Sequence, residues 1–174
     1  MLSEKIKNTV NGIRHQFPTE QALLLPLLHQ IQDEQGWVSK EQMKAAAEFL
    51  NLPFSKVREV ASFYTMYKLE PQGKVDVQIC TNISCWLNGA DKLVACASKK
   101  LGVHAGETTA DGKFTLSQVE CLAACGTAPA MMINEDYYES LTEESLLKII
   151  DQAKADLEAG KTVGKNTRRD GVWP

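Results

Sequence analysis

Apolar positions in the first part of the chain recur every three or four residues, the period of a helix that packs one face against a core. The spacing predicts two such helices, with apolar faces at Leu2, Ile6, Val10, Ile13 and Phe17, and at Leu23, Leu24, Leu27, Leu28 and Ile31. Gly36 is the predicted end of the second helix. Ser39 and Gln42 have the spacing of a capping box and predict a third helix, and Ser55 is the predicted N-cap of a fourth. Residues 1–72 are therefore predicted to form a helical bundle.

The pattern changes to an alternation of strands and helices after residue 72. Apolar residues occupy every second position over 74–80, the period of a strand. Asn88 is the predicted N-cap of a helix that Gly102 ends. The remaining predicted elements are strands at 114–119 and 130–133, with Tyr137 and Tyr138 close behind, and a helix capped by Thr142. This order predicts a small α/β sheet over residues 73–159.

Composition places the chain among soluble globular proteins, since 44% of its 174 residues are apolar and 24% are charged. The longest apolar run, 22–28, is far shorter than the about 20 residues of a membrane span, and no secretory leader is evident. We therefore expect a reducing compartment. The net charge of −3 argues against a general attraction to nucleic acid.

The tail, residues 160–174, differs from the rest because four basic residues stand there against one acidic residue. Its net charge of +3 implies −6 for residues 1–159. Two interpretations stay open, a solvated tail and a segment that docks on a partner through Trp173.

Four of the five cysteines form two pairs, and each pair follows a predicted strand. Four residues separate Cys80 from Cys85, and three separate Cys121 from Cys125. Loops that leave the same edge of a sheet would bring the four sulfurs around one point. Thiolates favour zinc, Cu(I) or iron–sulfur clusters, and these wide spacings favour a 2Fe–2S cluster over zinc. Four unrelated thiols or two disulfides are the alternative without a metal.

The fifth cysteine, Cys96, lies in the middle of a predicted helix and is expected to be a small buried apolar residue. His15, His29 and His104 are scattered and are not predicted ligands. No glycine-rich dinucleotide motif and no P-loop occurs in the chain, so a nucleotide is not expected to bind here.

The segment 111–129, DGKFTLSQVECLAACGTAP, closely resembles the signature of one family of NADH-quinone oxidoreductase subunits, the thioredoxin-like 2Fe–2S subunits of respiratory complex I. VASFYTMY at 60–67, VQICT at 77–81 and NEDYY at 134–138 are similar to the same family, and so is Gly36-Trp37-Val38. The resemblance extends over about residues 19–150, with its motifs in the family's order.

The resemblance implies a helical N-terminal extension, 1–72, followed by a thioredoxin-like 2Fe–2S domain, 73–159, and a basic tail, 160–174. It implies that one 2Fe–2S cluster is bound by Cys80, Cys85, Cys121 and Cys125. It also implies electron exchange with a partner subunit that carries FMN and oxidises NADH. The expected location is the cytoplasmic, peripheral arm of an inner-membrane complex that transfers electrons to quinone.

Two positions depart from the family pattern. The family often has glycine where this chain has Ala123, and an alanine forced to positive φ would be strained by about 1 kcal/mol. It often has proline where this chain has Ser84, whose hydroxyl is a candidate donor to sulfur that would raise the reduction potential. Thr81, Asn82 and the backbone amides of both cysteine loops are further candidate donors.

Two other functions remain as alternatives. A similar subunit occurs in the diaphorase part of NAD-linked hydrogenases and formate dehydrogenases, and the motifs do not separate it from the respiratory one. The more remote alternative is a DNA-binding regulator, with a helix-turn-helix over 39–64 and zinc on the paired cysteines. Its second helix offers only Lys56 and Arg58 to phosphates, beside Glu59.

Overall fold

The computed structural model describes residues 1–164 and divides into two compact units, one over Met1–Pro71 and a second that begins at Gln72. The first unit contains helices α1 (Glu4–Ile13), α2 (Leu24–Gln35), α3 (Lys40–Phe49) and α4 (Phe54–Phe63), with one turn of 3-10 helix at Arg14–Gln16. Among residues 1–164, no helix combines the length and the apolar character needed to cross a membrane.

Local signals fix most helix ends of the first unit. Gly36 ends α2 at φ 83°, and Ser39 and Gln42 form the predicted capping box of α3. The predicted cap at Ser55 is wrong, because α4 begins at Phe54 and its N-cap is Pro53. The fixed φ of Pro53, −60°, leads directly into the helix, and its carbonyl accepts the N–H of Lys56 at 3.0 Å.

The four helices share one apolar core, as their spacing predicts. Leu24, Leu27, Leu28 and Ile31 of α2 are fully buried in it, together with Val57 of α4. The remaining buried members are Leu2, Ile6, Val10, Leu23, Val38, Met43, Ala46, Ala47, Leu50, Ala61 and Tyr67. The first unit is therefore a helical bundle.

The second unit is a four-stranded mixed sheet with helices. Its elements are β1 (Val75–Cys80), α5 (Ile83–Leu87), α6 (Ala90–Leu101), β2 (Phe114–Val119), β3 (Met131–Ile133), β4 (Asp136–Tyr138) and α7 (Glu143–Glu158). The strand order is β2-β1-β3-β4, with β1 and β2 parallel and the other pairs antiparallel. This mixed sheet after a helical bundle confirms the predicted fold class.

The core of this unit lies between the sheet and the helices α6 and α7. Val75, Val77 and Ile79 of β1 are fully buried in one cluster with Leu93 of α6 and Leu146 of α7. The other buried members are Ala97, Phe114, Leu116, Met131, Ile133, Leu141, Ile150 and Ala153. The alternation over 74–80 therefore marks a strand with one face in the core.

The segment between the first two cysteines and α6 departs from prediction. Asn88 does not cap α6; its side-chain amide donates to the carbonyl of Ser84 at 2.8 Å. The N-cap of α6 is Gly89 instead, at φ 88°. Its left-handed conformation, which glycine adopts without strain, turns the chain from the short helix α5 into α6. The helix α5 itself was not predicted.

The predicted limits 1–72, 73–159 and 160–174 remain a proposal about folding domains. Val163, from the predicted tail, packs against the core of the second unit. Its carbonyl accepts a hydrogen bond from the Asn134 side chain at 2.6 Å. The interpretations that concern Trp173 lie outside the described residues.

Candidate metal centre

The parallel pairing of β1 and β2 places both cysteine loops at one edge of the sheet. Cys80, the last residue of β1, lies in register with Val119, the last residue of β2. The two loops then run side by side: the N–H of Thr81 donates to the carbonyl of Val119 at 3.0 Å, and Sγ of Cys80 lies 3.9 Å from the carbonyl oxygen of Glu120. The predicted juxtaposition of the loops is therefore present.

The short helix α5 carries the second cysteine back towards the first. Asn82 caps this helix, with its side-chain oxygen accepting the N–H of Ile83 at 2.7 Å. One turn later, the Cys85 thiol hydrogen-bonds the thiol of Cys80. Cys80 also hydrogen-bonds Cys121. The two loops therefore share a contact between thiols.

Cys125 closes the group from the second loop. It begins a turn of 3-10 helix, Cys125–Thr127, that leads to a cis bond between Ala128 and Pro129. Its charge acts on the Cys85 thiol, so it lies within electrostatic range of the first cysteine pair. All four predicted ligands therefore lie at the same edge of the sheet.

Burial divides the four thiols into two kinds. Cys80 and Cys85 are buried, at 3% and 1% exposure, in a small apolar cluster that also contains Leu122. Ala90 and Ala130 complete the cluster, while Cys121 and Cys125 are exposed. A group bound here would have one side in apolar surroundings and the other towards solvent.

The two buried thiols have pKa values shifted in opposite directions. Burial raises the pKa of Cys80, but hydrogen bonds from the backbone of Asn82 and Leu122 and from the thiols of Cys85 and Cys121 outweigh it, so the net shift is downward. Burial raises the pKa of Cys85, and the hydrogen bond with Cys80 adds to the rise. Cys80 is thus the one of the two that this loop geometry favours as a thiolate, the form that binds metal.

Backbone amides also donate hydrogen bonds to sulfur, in addition to the bonds between the thiols. The N–H of Ala123 donates to Sγ of Cys121 at 3.3 Å, and the backbone of Ala130 hydrogen-bonds the Cys85 thiol. The Thr81 hydroxyl donates to the carbonyl of Val119 at 3.3 Å rather than to sulfur, and the Asn82 side-chain oxygen accepts the N–H of Ile83. Donor roles for the Asn82 side-chain NH2 and for the Ser84 hydroxyl stay predictions.

The donor set fits a binuclear cluster. Four thiols from two loops meet at one edge of the sheet, and all are free rather than joined in disulfides. A 2Fe–2S cluster takes four thiolates, two on each iron, so the residues present match it in number and in kind.

Cys96 stands apart from this group. It lies on α6, half-buried against the core between the sheet and the helices. Burial raises the pKa of its thiol, and the nearby charges are Glu143, Lys99 and Lys100 rather than other cysteines. The structure thus brings together the four predicted ligands and leaves the fifth cysteine in the core.

Apolar side chains are exposed on α5, next to the buried Cys85. Ile83, Trp86 and Leu87 are 68%, 58% and 71% exposed. Leu87 and Trp86 also line an open groove of about 580 Å³ at the start of α6 and α7. Large exposed apolar groups of this kind are typical of surfaces that contact other proteins.

Known proteins match this chain over most of its length. It is 41% identical over 158 residues to the NADH-quinone oxidoreductase subunit designated E of Rickettsia felis, a match that covers 89% of this chain and 95% of that protein. It is 42% identical over 156 residues to the subunit of the same name from Rickettsia conorii, with 88% and 93% covered.

Among solved structures, an NAD+-reducing NiFe-hydrogenase in its H2-reduced state is similar in fold, with a TM-score of 0.66 and 20% identity. The match covers 76% of this chain and 22% of the hydrogenase chain. The thioredoxin-like 2Fe-2S ferredoxin family matches residues 10–154. Because this match covers most of the sequence, the chain belongs to the thioredoxin-like 2Fe–2S ferredoxins.

Proposed function

We propose that this chain is the electron-transfer subunit of an NADH-quinone oxidoreductase, with one 2Fe–2S cluster bound by Cys80, Cys85, Cys121 and Cys125. The observation that carries the proposal is the meeting of these four thiols at one sheet edge, in a chain 41% identical to a subunit of such an oxidoreductase. When bound, the cluster supplies one-electron chemistry. On this proposal the chain makes and breaks no substrate bond itself.

The protein's own contribution is to hold and shield the thiolates. The apolar cluster around Cys80 and Cys85 keeps water from one side of the group, and the amides of both loops compensate negative charge on sulfur. The exposed pair, Cys121 and Cys125, gives electrons a short path to the protein surface. A chain that passes electrons to and from a partner needs such an arrangement.

The proposed partner is the flavin-bearing subunit that oxidises NADH, in the cytoplasmic peripheral arm of an inner-membrane complex. NADH and FMN are assigned to that partner because the sequence contains no nucleotide-binding motif. The exposed apolar side chains of α5 support a protein contact beside the thiols. The names of the 41–42% identical relatives support the respiratory complex over a hydrogenase, since the hydrogenase match at 20% identity concerns fold alone.

Iron content and spectroscopy test the cluster. We expect the anaerobically purified chain to contain about two irons and to give the electron paramagnetic resonance signal of a reduced 2Fe–2S cluster after dithionite treatment. Serine at position 80, 85, 121 or 125 should remove or disturb the signal. Cys96→Ser is the matched control and should leave it intact. A colourless chain with one zinc, or loss of the signal in Cys96→Ser alone, would contradict the assignment.

The partner is tested by the source of electrons. NADH alone should leave the isolated chain oxidised, and NADH with the co-expressed flavin-bearing subunit should reduce it. Rapid reduction by NADH without a flavoprotein would mean that the chain has a nucleotide site of its own. This result would refute the partner assignment while leaving the cluster assignment in place.

A further inference from the structure

Two successive backbone amides in the second cysteine loop hydrogen-bond two different thiols. The amide of Leu122 hydrogen-bonds the buried thiol of Cys80, and the next amide, of Ala123, donates to Sγ of the exposed Cys121 at 3.3 Å. The segment Leu122–Ala123 therefore contacts one proposed ligand from each loop.

The backbone conformation of Ala123 accounts for this arrangement. Its φ is +59°, in the left-handed region that residues with a Cβ rarely adopt. A left-handed residue in a run of successive amides turns their N–H groups towards a common side, a concave arrangement that binds anions and occurs at iron–sulfur sites. The Ala123 side chain is exposed, so no burial of its methyl group explains why the residue takes this conformation.

We propose that the Leu122–Ala123 segment is an amide cradle that orients Sγ of Cys80 and Cys121 and raises the reduction potential of the cluster; this rests on the proposed function. Ala123 is a positioning residue in this cradle. Hydrogen bonds from N–H to a negatively charged sulfur are charge-assisted, and they stabilise the reduced state more because it carries one more negative charge. Losing one of them therefore lowers the potential.

The test removes a single N–H from the full, cluster-loaded chain. Ala123 is replaced by L-lactic acid through nonsense suppression, which exchanges the amide for an ester and keeps the methyl group. We expect an unchanged iron content and a shift of the midpoint potential to more negative values in a redox titration followed by electron paramagnetic resonance. Resonance Raman bands of the iron–thiolate bonds should also lose part of their sensitivity to D2O. The matched control is the same replacement at Ala105, an exposed turn residue of the same unit, which should change neither readout.

Two further variants separate the amide from the side chain. Ala123→Gly keeps the N–H and permits positive φ, so its potential should equal that of the unmodified chain. Ala123→Val keeps the N–H but opposes positive φ, so its potential should shift in the same direction as that of the ester.

Each outcome bears on the inference. Loss of the cluster in the lactic acid variant alone, with the far-UV circular dichroism unchanged, would overturn the inference that this amide adjusts the potential of an intact cluster, and would leave the proposed function standing. An intact cluster with an unchanged potential in both the ester and the valine variants would overturn the inference and leave the proposed function standing. A chain without any 2Fe–2S signal would overturn both.

Discussion

Replacing Ala123 by glycine should stabilise the chain, because the left-handed conformation of this residue costs free energy that glycine avoids. An L-residue in this region is disfavoured by about 1–2 kcal/mol. Glycine also makes the unfolded chain more flexible, which costs about 0.4–1 kcal/mol relative to alanine. The Ala123 side chain is exposed at φ +59°, so no buried contact is lost. The net expectation is a gain of about 0.5–1 kcal/mol in the free energy of unfolding.

The control for this measurement is Ala105→Gly. Ala105 is also exposed but is not in the left-handed region, so only the cost in the unfolded state applies, a loss of about 0.4–1 kcal/mol. The two variants should then differ by about 1–2 kcal/mol. In urea unfolding of the metal-free chain, followed by far-UV circular dichroism, this is a midpoint difference of about 0.5–1 M for a slope near 2 kcal/mol per M. Equal losses in both variants would refute the claim that Ala123 is strained.

Three further predictions concern other parts of the molecule. Hydrogen bonds from the side chain of Thr109 and from the backbone of Lys113 lower the pKa of Asp111 in the folded chain. The ionised carboxylate therefore stabilises the fold above the unfolded pKa of about 3.9, and this contribution is lost as the pH falls through the lower folded pKa. Thr109→Val should raise this pKa in a carboxyl NMR titration, and an unchanged midpoint would contradict the assigned cause. Asn134→Ala should cost about 2–3 kcal/mol in urea unfolding, since its side chain makes three hydrogen bonds, to the N–H of Asp76 and to two carbonyls. Trp86→Ser should weaken binding to the flavin-bearing subunit proposed above at least about tenfold. Tyr137→Ser is the control, because Tyr137 is 54% exposed and Trp86 58%, and it should leave the affinity unchanged; equal effects would argue against a contact through α5.

The elements that the sequence predicts well are those whose signals are local. The helical period over Leu2–Phe17 and the alternation over 74–80 both mark one buried face, and both elements occur within a few residues of the prediction. The Ser39 capping box is present because its two hydrogen bonds depend only on residues three apart. Asp111 and Gly112 form a turn for the same reason, with Gly112 at φ 67°.

The elements that the sequence misses are short and bury few of their residues. The helix α5 has five residues, and Ile83, Trp86 and Leu87 are exposed, so its apolar residues follow no packing period. The strand β4 has three residues and lies at the edge of the sheet, where pairing with β3 rather than its own pattern defines it. Asparagine often caps the start of a helix, but the side chain of Asn88 donates instead to the carbonyl of Ser84 in the preceding helix, α5.

The gathering of the four thiols follows from cysteine spacing and strand ends, whereas the hydrogen bonds to them do not. Every residue except proline carries the same N–H, so residue types give no indication of which amides face sulfur. The sequence therefore indicates the backbone amides of both loops only as a group, and the individual donors that it suggests are the side chains of Thr81, Asn82 and Ser84. Only the departure at Ala123 indicates a backbone of unusual conformation, and its φ of +59° confirms that this position is left-handed.

The left-handed backbone at position 123 determines whether an alanine there affects the reduction potential or only the stability of the fold. If the amide of residue 123 reaches Cys121 through the left-handed backbone, glycine and alanine present the same donor at the same place. The exchange between them then alters the free energy of folding and leaves the hydrogen bond to sulfur as it is. The departure from glycine is for this reason a change in stability, and only residues that oppose positive φ or lack the N–H should shift the potential.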